Sequence, residues 1–160
     1  MAHNAARMAA GAKTSAAARA TRVDFMNESR QLADWILEQT TDALVYADAG
    51  GTIVRWNRAA GSLFGYDGSE AIGQSLDLII PEHLRAAHWK GFHAAMASGS
   101  TRLGGRPTLT RAVHKSGARL YVEMTFAVVS NDSGQVVGSV AMARDVTERI
   151  QRERVAAGPR

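Results

Sequence analysis

Residues 119–129 alternate between apolar and more polar side chains, and this alternation has the period of two that a half-buried β-strand requires. The apolar positions are Leu120, Val122, Met124, Phe126 and Val128. Because successive side chains of a strand point to opposite faces, one face must pack against other structure while the other meets water. We therefore expect an antiparallel sheet that is covered on one side.

Four further β-like runs surround this strand, and their order along the chain predicts the fold class. Two precede it, at 43–48 and 52–57, and the Ala-Gly-Gly link between them is typical of a hairpin. Two more, at 108–115 and 135–144, flank the alternating strand and are joined to it by turns that contain glycine. Since helical segments separate the first two runs from the last three, the sequence predicts an α+β fold with helices packed on one face of the sheet.

Four helices are predicted, each beginning beside a residue that favours a helix start. They are 29–38 after Asn27 or Ser29, a helix from Asn57 to Gly65, a single turn from Ser69 to Ile72, and 82–97 after Pro81 with its end near Gly99.

Charge and composition exclude several kinds of function. The chain has 19 basic and 15 acidic residues, and the excess lies within residues 1–23, which we interpret as a disordered basic tail. The remainder is neutral, which argues against nucleic acid as a partner. The absence of cysteine excludes disulfides, thiolate metal sites and cysteinyl flavin. No apolar run approaches the roughly 20 residues of a membrane span, so we expect a cytoplasmic protein.

His88 is the clearest candidate for a functional side chain. On the long predicted helix it falls in the middle of the apolar face, with Leu84 and Phe92 within about 40° of it. An imidazole buried there needs a hydrogen bond or a metal. His83 and His93 are rotated from it by about 140° each, so the three cannot share a metal ion. A single imidazole suits a haem, which brings four nitrogen ligands of its own, or it is a core residue bonded to a neighbouring group.

Six short segments in the right order resemble the PAS family. They are 48–60, which contains Asp-Ala-Gly-Gly, Leu-Phe-Gly-Tyr at 63–66, Gly-Gln-Ser at 73–75, Ile-Pro-Glu at 80–82, His-Lys-Ser-Gly at 114–117, and 144–149, which begins Arg-Asp-Val-Thr. The resemblance covers about residues 30–150 and implies a five-stranded antiparallel sheet that cups a small-molecule pocket beneath the helices. It implies a PAS domain at 41–147, a flanking helix at 24–40 and an exit segment at 148–160 that passes signals onward.

Residues 80–92 are also similar to the corresponding helix of haem-binding PAS oxygen sensors, with a Pro-Glu, an Arg and a His at matching positions. This resemblance implies that His88 is the axial ligand of a haem b, and that Arg106 lies on the distal side where oxygen or another gas would bind. A gapless count back from Gly117 instead places Thr108 at the oxygen-contacting position. A non-covalent flavin and a small organic ligand are alternatives for the same pocket.

Other side chains are candidates for the pocket wall or for core packing. They are Trp89, Phe92, Met124 and Met142, which lie on the long helix or on strands expected to face it. The family resemblance further implies a polar switch at the exit, in which Asp145 holds the strand end and Thr147 caps the following helix.

A cofactor-free interaction module is the second interpretation. The first predicted helix carries Leu32, Trp35 and Ile36 close together, which is more apolar surface than an isolated helix needs. It therefore favours a homodimer or a signalling partner protein. No phosphate loop, Ser-His-Asp arrangement or acid–base pair is apparent, so we do not expect an enzyme.

Overall fold

The computed structural model describes residues 24–157, and five of its strands form one antiparallel sheet. The strands are β1 (Ala43–Asp48), β2 (Ile53–Trp56), β3 (Thr108–Val113), β4 (Arg119–Ser130) and β5 (Val136–Asp145). Their spatial order is β2-β1-β5-β4-β3, so β2 and β3 form the edges. The predicted fold class, an α+β fold with a five-stranded antiparallel sheet, is confirmed.

Helices connect the two halves of the sheet and flank it in sequence. They are α1 (24–39), α2 (Arg58–Phe64), α3 (Gly68–Ala71), a single 3-10 turn (Leu76–Leu78), α4 (Glu82–Ser98) and α5 (Thr147–Ala156). The chain divides into two compact units, one ending at Leu37 and one beginning at Glu38. The predicted tail at 1–23 lies outside the described residues.

Two predicted helix starts are wrong. Residue 24 is already helical, so neither Asn27 nor Ser29 begins α1; inside a helix these residues cost only a few tenths of a kcal/mol, which neighbouring helix formers can offset. The cap of α3 is Asp67 rather than Ser69, because the Asp67 amide donates to Glu70 Oε2 at 2.9 Å.

The core lies between one face of the sheet and the segment from α2 to α4. Phe64, Ile53 and Val122 are fully buried there. Asn57, which is 2% exposed, fixes α2 to β1: its Oδ1 accepts hydrogen bonds from the Leu44 and Ala60 amides at 2.8 and 2.9 Å, and its Nδ2 donates to Asp42 O. The prediction that Asn57 caps this helix is confirmed.

An ion pair between Asp42 and Arg144 joins the start of β1 to the end of β5. Arg144 Nε and Nη2 donate to the two carboxylate oxygens at 2.7 and 3.0 Å, and this bonding lowers the pKa of Asp42 below its usual value. A lowered carboxyl pKa stabilises the fold above the unfolded pKa of about 3.9, and this contribution is lost as the pH falls through the folded pKa.

We therefore expect Asp42→Asn to lower the free energy of unfolding at pH 7, by less than about 1 kcal/mol because Arg144 is exposed. The difference from the wild type should shrink as the pH falls through the folded pKa of Asp42, below which both proteins carry a neutral side chain. Urea unfolding at several pH values measures it, and a difference independent of pH would contradict the assignment.

No helix among residues 24–157 has both the length and the apolar character that a membrane span requires.

Candidate functional site

His88 lies at the end of the second turn of α4. It is half-buried, and one of its ring nitrogens has no hydrogen-bond partner. Its Nδ1 is buried without a hydrogen-bond partner, the one such side-chain nitrogen or oxygen among residues 24–157. Burial lowers the pKa of His88, the charge of Asp77 opposes this effect, and His93 adds slightly to it. The imidazole is therefore kept in its neutral form, which is the form that binds metals.

Aromatic rings surround this imidazole. The ring of His88 lies 5.3 Å from Trp89, nearly perpendicular to it, and 6.0 Å from Phe92. Trp89 and Phe92 also meet edge to face at 5.4 Å. Phe92 is the one buried residue of α4, so the structure brings three of the predicted site residues together where the helix meets the core.

The two methionines lie on opposite faces of the sheet. Met124 pairs with Ala143, which belongs to the core beneath the helices, and Met124 packs in the same core as Phe92. Met142 pairs with Leu44 on β1 and with Thr125 on β4. Both of these residues lie on the face of the sheet opposite to the one that carries Met124. The expectation that Met142 faces the long helix α4 is therefore wrong, since cross-strand partners share a face.

The two distal candidates also differ in their placement. Arg106 is exposed, and its Nε donates to the Leu103 carbonyl within its own loop at 3.4 Å. Thr108 is half-buried and pairs with Met124, so it lies on the face that the helices cover.

Sequence reasoning missed Asp77, which lies in the 3-10 turn before α4. Its Oδ1 accepts a hydrogen bond from Trp89 Nε1 at 2.9 Å, and its carbonyl accepts one from Arg85 Nη2 at 3.1 Å. Arg85 Nε also donates to the Ile80 carbonyl at 3.2 Å. A half-buried indole generally needs an acceptor, which was the available signal, but nothing in the sequence shows which residue supplies it.

Two open grooves, of about 660 and 630 Å³, lie away from His88. The larger borders α2 and the ends of β1 and β5, including Ala43, Leu63 and Arg144. The smaller lies beside α2 and α3. Neither has a lining residue from α4, so neither is the pocket expected beneath that helix.

His88 is the half-buried imidazole of α4, whereas His83 and His93 on the same helix are exposed. Among residues 24–157, no group of three or more His, Cys, Asp or Glu side chains is placed to hold a metal ion. A single neutral imidazole in an apolar, aromatic setting fits a metal centre that brings most of its own ligands, as a haem does.

The junction between β5 and α5 is attached to β4 by a hydrogen bond from Tyr121. Thr147 Oγ1 accepts a hydrogen bond from the Tyr121 amide at 2.9 Å, and the Asp145 carboxylate accepts one from the Thr147 amide at 2.8 Å. The predicted roles are thus exchanged: Asp145 bonds the first amide of α5, while Thr147 fastens α5 to β4. The exchange arises because Val146, whose side chain forms no cap, occupies the N-cap position.

Two side chains of α5 reach the same part of β4. The Arg154 guanidinium lies 4.7 Å from the centroid of the Tyr121 ring, and Arg149 Nη2 donates to Glu123 Oε1 at 3.2 Å. Val122 and Met124 alternate with these two partners and face the core. Residues 121–124 of β4 therefore contact the core on one face and α5 on the other.

Comparison with known proteins identifies relatives of the chain. A family model described as the PAS fold matches residues 37–151. The chain is 31% identical over 120 residues to an uncharacterized protein of Azorhizobium caulinodans, covering 74% of this chain and 16% of that protein. It is 30% identical over 118 residues to the oxygen sensor protein DosP of Escherichia coli, covering 73% of this chain and 14% of DosP. The crystal structure of a PAS domain from Colwellia psychrerythraea superposes with a TM-score of 0.65 at 24% identity, covering 74% of this chain and 98% of that one.

Proposed function

The chain belongs to the PAS family and is a PAS sensory module, and from this premise we propose that it binds a haem b through His88 to sense a gas or a redox change. The observation that carries the proposal is the buried, unpartnered Nδ1 of His88. A buried polar atom without a hydrogen-bond partner lowers the stability of the fold. We therefore expect the His88 ring to have a function, such as binding a ligand, that explains its burial. The relationship to DosP, which is named an oxygen sensor, supports the same input.

The residues around His88 have distinct tasks in this proposal. His88 would hold the iron, while Phe92 and Met124 provide apolar walls that keep water away. Thr108 faces the same side of the sheet as Met124 and is better placed than Arg106 to contact a bound gas. The haem itself would supply an iron with an open coordination position for a diatomic gas.

The absorption spectrum tests this function directly. The protein is purified from cells supplied with a haem precursor and recorded in oxidised, reduced and carbon monoxide-treated forms. We expect a Soret band that shifts with carbon monoxide. A protein that stays colourless, even after haemin is added, would reject haem binding and direct the search to flavins and small organic ligands.

In this proposal, α5 transmits the signal from the sheet to the segment that follows the domain. Thr147→Val keeps the shape of the side chain but removes the acceptor for the Tyr121 amide, a loss of about 1 kcal/mol. We expect faster hydrogen exchange in α5, by roughly five- to tenfold, with little change in α2. The matched control is Thr110→Val on β3, and equal exchange in both variants would contradict the role of Thr147.

A second candidate function is self-association through α1. Phe25, Leu32 and Ile36 are 68%, 54% and 60% exposed and, at spacings of seven and four, lie along one line of the helix. This spacing matches the apolar seam along which identical helices pair, so we propose a second copy of the chain as the partner.

We expect the double variant Leu32→Glu, Ile36→Glu to be monomeric at concentrations where the wild type is dimeric. Light scattering after size-exclusion chromatography measures the mass. Gln31→Glu, which places a charge elsewhere on the same helix, should leave the dimer intact. A wild type that remains monomeric at high concentration would reject this candidate.

A further inference from the structure

We propose that Trp89, Asp77 and Gly51 form an anchor that positions His88, so that ligand binding at His88 depends on this anchor. The three residues come from α4, the 3-10 turn and the β1–β2 turn, and together they are called the α4 anchor. This inference rests on the proposed function, because it concerns the same imidazole.

The first part of the anchor is a charged hydrogen bond. Trp89 Nε1 donates to Asp77 Oδ1 at 2.9 Å, and a carboxylate acceptor makes such a bond stronger than one between neutral groups. Asp77 is itself held in place, because its amide donates to Ser75 Oγ and its carbonyl accepts from Arg85. Asp77 is therefore held in position by hydrogen bonds that do not involve Trp89.

The second part is a close approach of the indole to Gly51. A Cβ at this position would lie 2.3 Å from Trp89 Cη2, and Gly51 has a φ of 84°, which other residues rarely adopt. The Gly51 carbonyl accepts from the Leu76 amide at 3.1 Å, at the start of the 3-10 turn that contains Asp77. Gly51, which lies against the indole, is therefore linked through Leu76 to the 3-10 turn that carries Asp77, the acceptor of the indole hydrogen bond.

The anchor matters because it is one of a small number of contacts that fix α4, together with the Arg85 hydrogen bonds and the packing of Phe92 and Met96. Phe92 is the one buried residue of α4, so a small set of contacts decides how far the helix stands from the sheet and how it is rotated. Trp89 is adjacent to His88, and their rings meet edge to face at 5.3 Å. Any rotation of α4 that withdraws the indole from Gly51 must also turn His88, so the anchor preorganises the imidazole.

Two conservative variants test the anchor. Asp77→Asn removes the charged acceptor with almost no change in shape, and Trp89→Phe removes the donor but keeps an aromatic ring. In haemin titrations of the full chain we expect each variant to raise the dissociation constant roughly tenfold. The double variant should be no weaker than Trp89→Phe alone, because Asp77→Asn weakens the bond that the loss of the indole N–H already removes.

Trp56→Phe is the matched control. Trp56 is 6% exposed, and its Nε1 donates to the Tyr66 carbonyl at 3.0 Å, so this variant also loses a partly buried indole hydrogen bond, but on β2. We expect it to lower stability while leaving the haemin affinity and the Soret maximum unchanged, whereas Asp77→Asn shifts that maximum. Wild-type affinity in both anchor variants, or the same loss in the control, would overturn the proposal.

A measurement without haemin separates the anchor from the proposed function. Asp77→Asn should speed hydrogen exchange in the first half of α4 by roughly tenfold and shift the indole N–H resonance of Trp89 but not that of Trp56. If His88→Ala binds haemin as the wild type does, the proposed function fails while this exchange result still tests the anchor. If the exchange is unchanged, the anchor fails even where His88 is required for haemin.

Discussion

Replacing His88 by alanine is expected to give a purified protein without a Soret band and with no saturable haemin binding. The reason is that the described part of α4 offers no substitute ligand at this position, since His83 and His93 are exposed. The axial imidazole is the coordinate bond through which this chain would hold the iron of a haem that is not covalently bound. The effect should therefore be a loss rather than a weakening.

The controls for this variant separate a ligand from a structural residue. His83→Ala removes an exposed imidazole from the same helix and should bind haemin as the wild type does. Adding free imidazole to His88→Ala should restore part of the Soret band, because the deleted ring leaves room for it. Undiminished haem content in His88→Ala would show that His88 is a core residue.

Asn57→Ala is expected to cause the largest loss of stability, about 3 kcal/mol, with a melting temperature lower by roughly 10 °C. The variant leaves the buried amides of Leu44 and Ala60 without an acceptor and removes the donor to Asp42. Each unsatisfied buried group costs about 1–3 kcal/mol, and α2 also loses its cap. Chemical denaturation of the full chain measures the difference.

Asn131→Ala is the matched control, since Asn131 Oδ1 also accepts two amide hydrogen bonds, from Ser133 and Gln135, in an exposed turn. Water can replace those bonds, so the expected loss is below about 1 kcal/mol. Similar losses in the two variants would show that burial of Asn57 is not what makes it important.

The sequence was most informative where local rules decide the structure. The bounds of β1 match the prediction, and α4 and β4 each match to within about one residue, because alternation, Pro81 and Gly99 act locally. β3 is shorter than expected. It ends at Val113 because the Lys115 amide bonds to the Phe64 carbonyl of α2, a tertiary contact that no local pattern reveals.

The site was less predictable because its geometry depends on pairing and on contacts between distant segments. β5 is apolar at several successive positions, so its pattern does not reveal which face Met142 occupies, and only its register with β1 and β4 decides this. His88 was visible from helical spacing alone. Its surroundings were not, because Asp77 is brought to Trp89 by the 3-10 turn and Gly51 by the sheet.

The attachment of α5 to β4 has a consequence for the design of chimeric sensors. Contacts from Thr147, Arg149 and Arg154 all fall on Tyr121 and Glu123, so a foreign effector joined after Ala156 would inherit the complete attachment. An effector joined directly after Asp145 would inherit none of it. In a helical junction each added residue also turns the effector by about 100°, so the linker length, counted from Ala156, would decide whether a fusion responds in the natural or in the inverted sense.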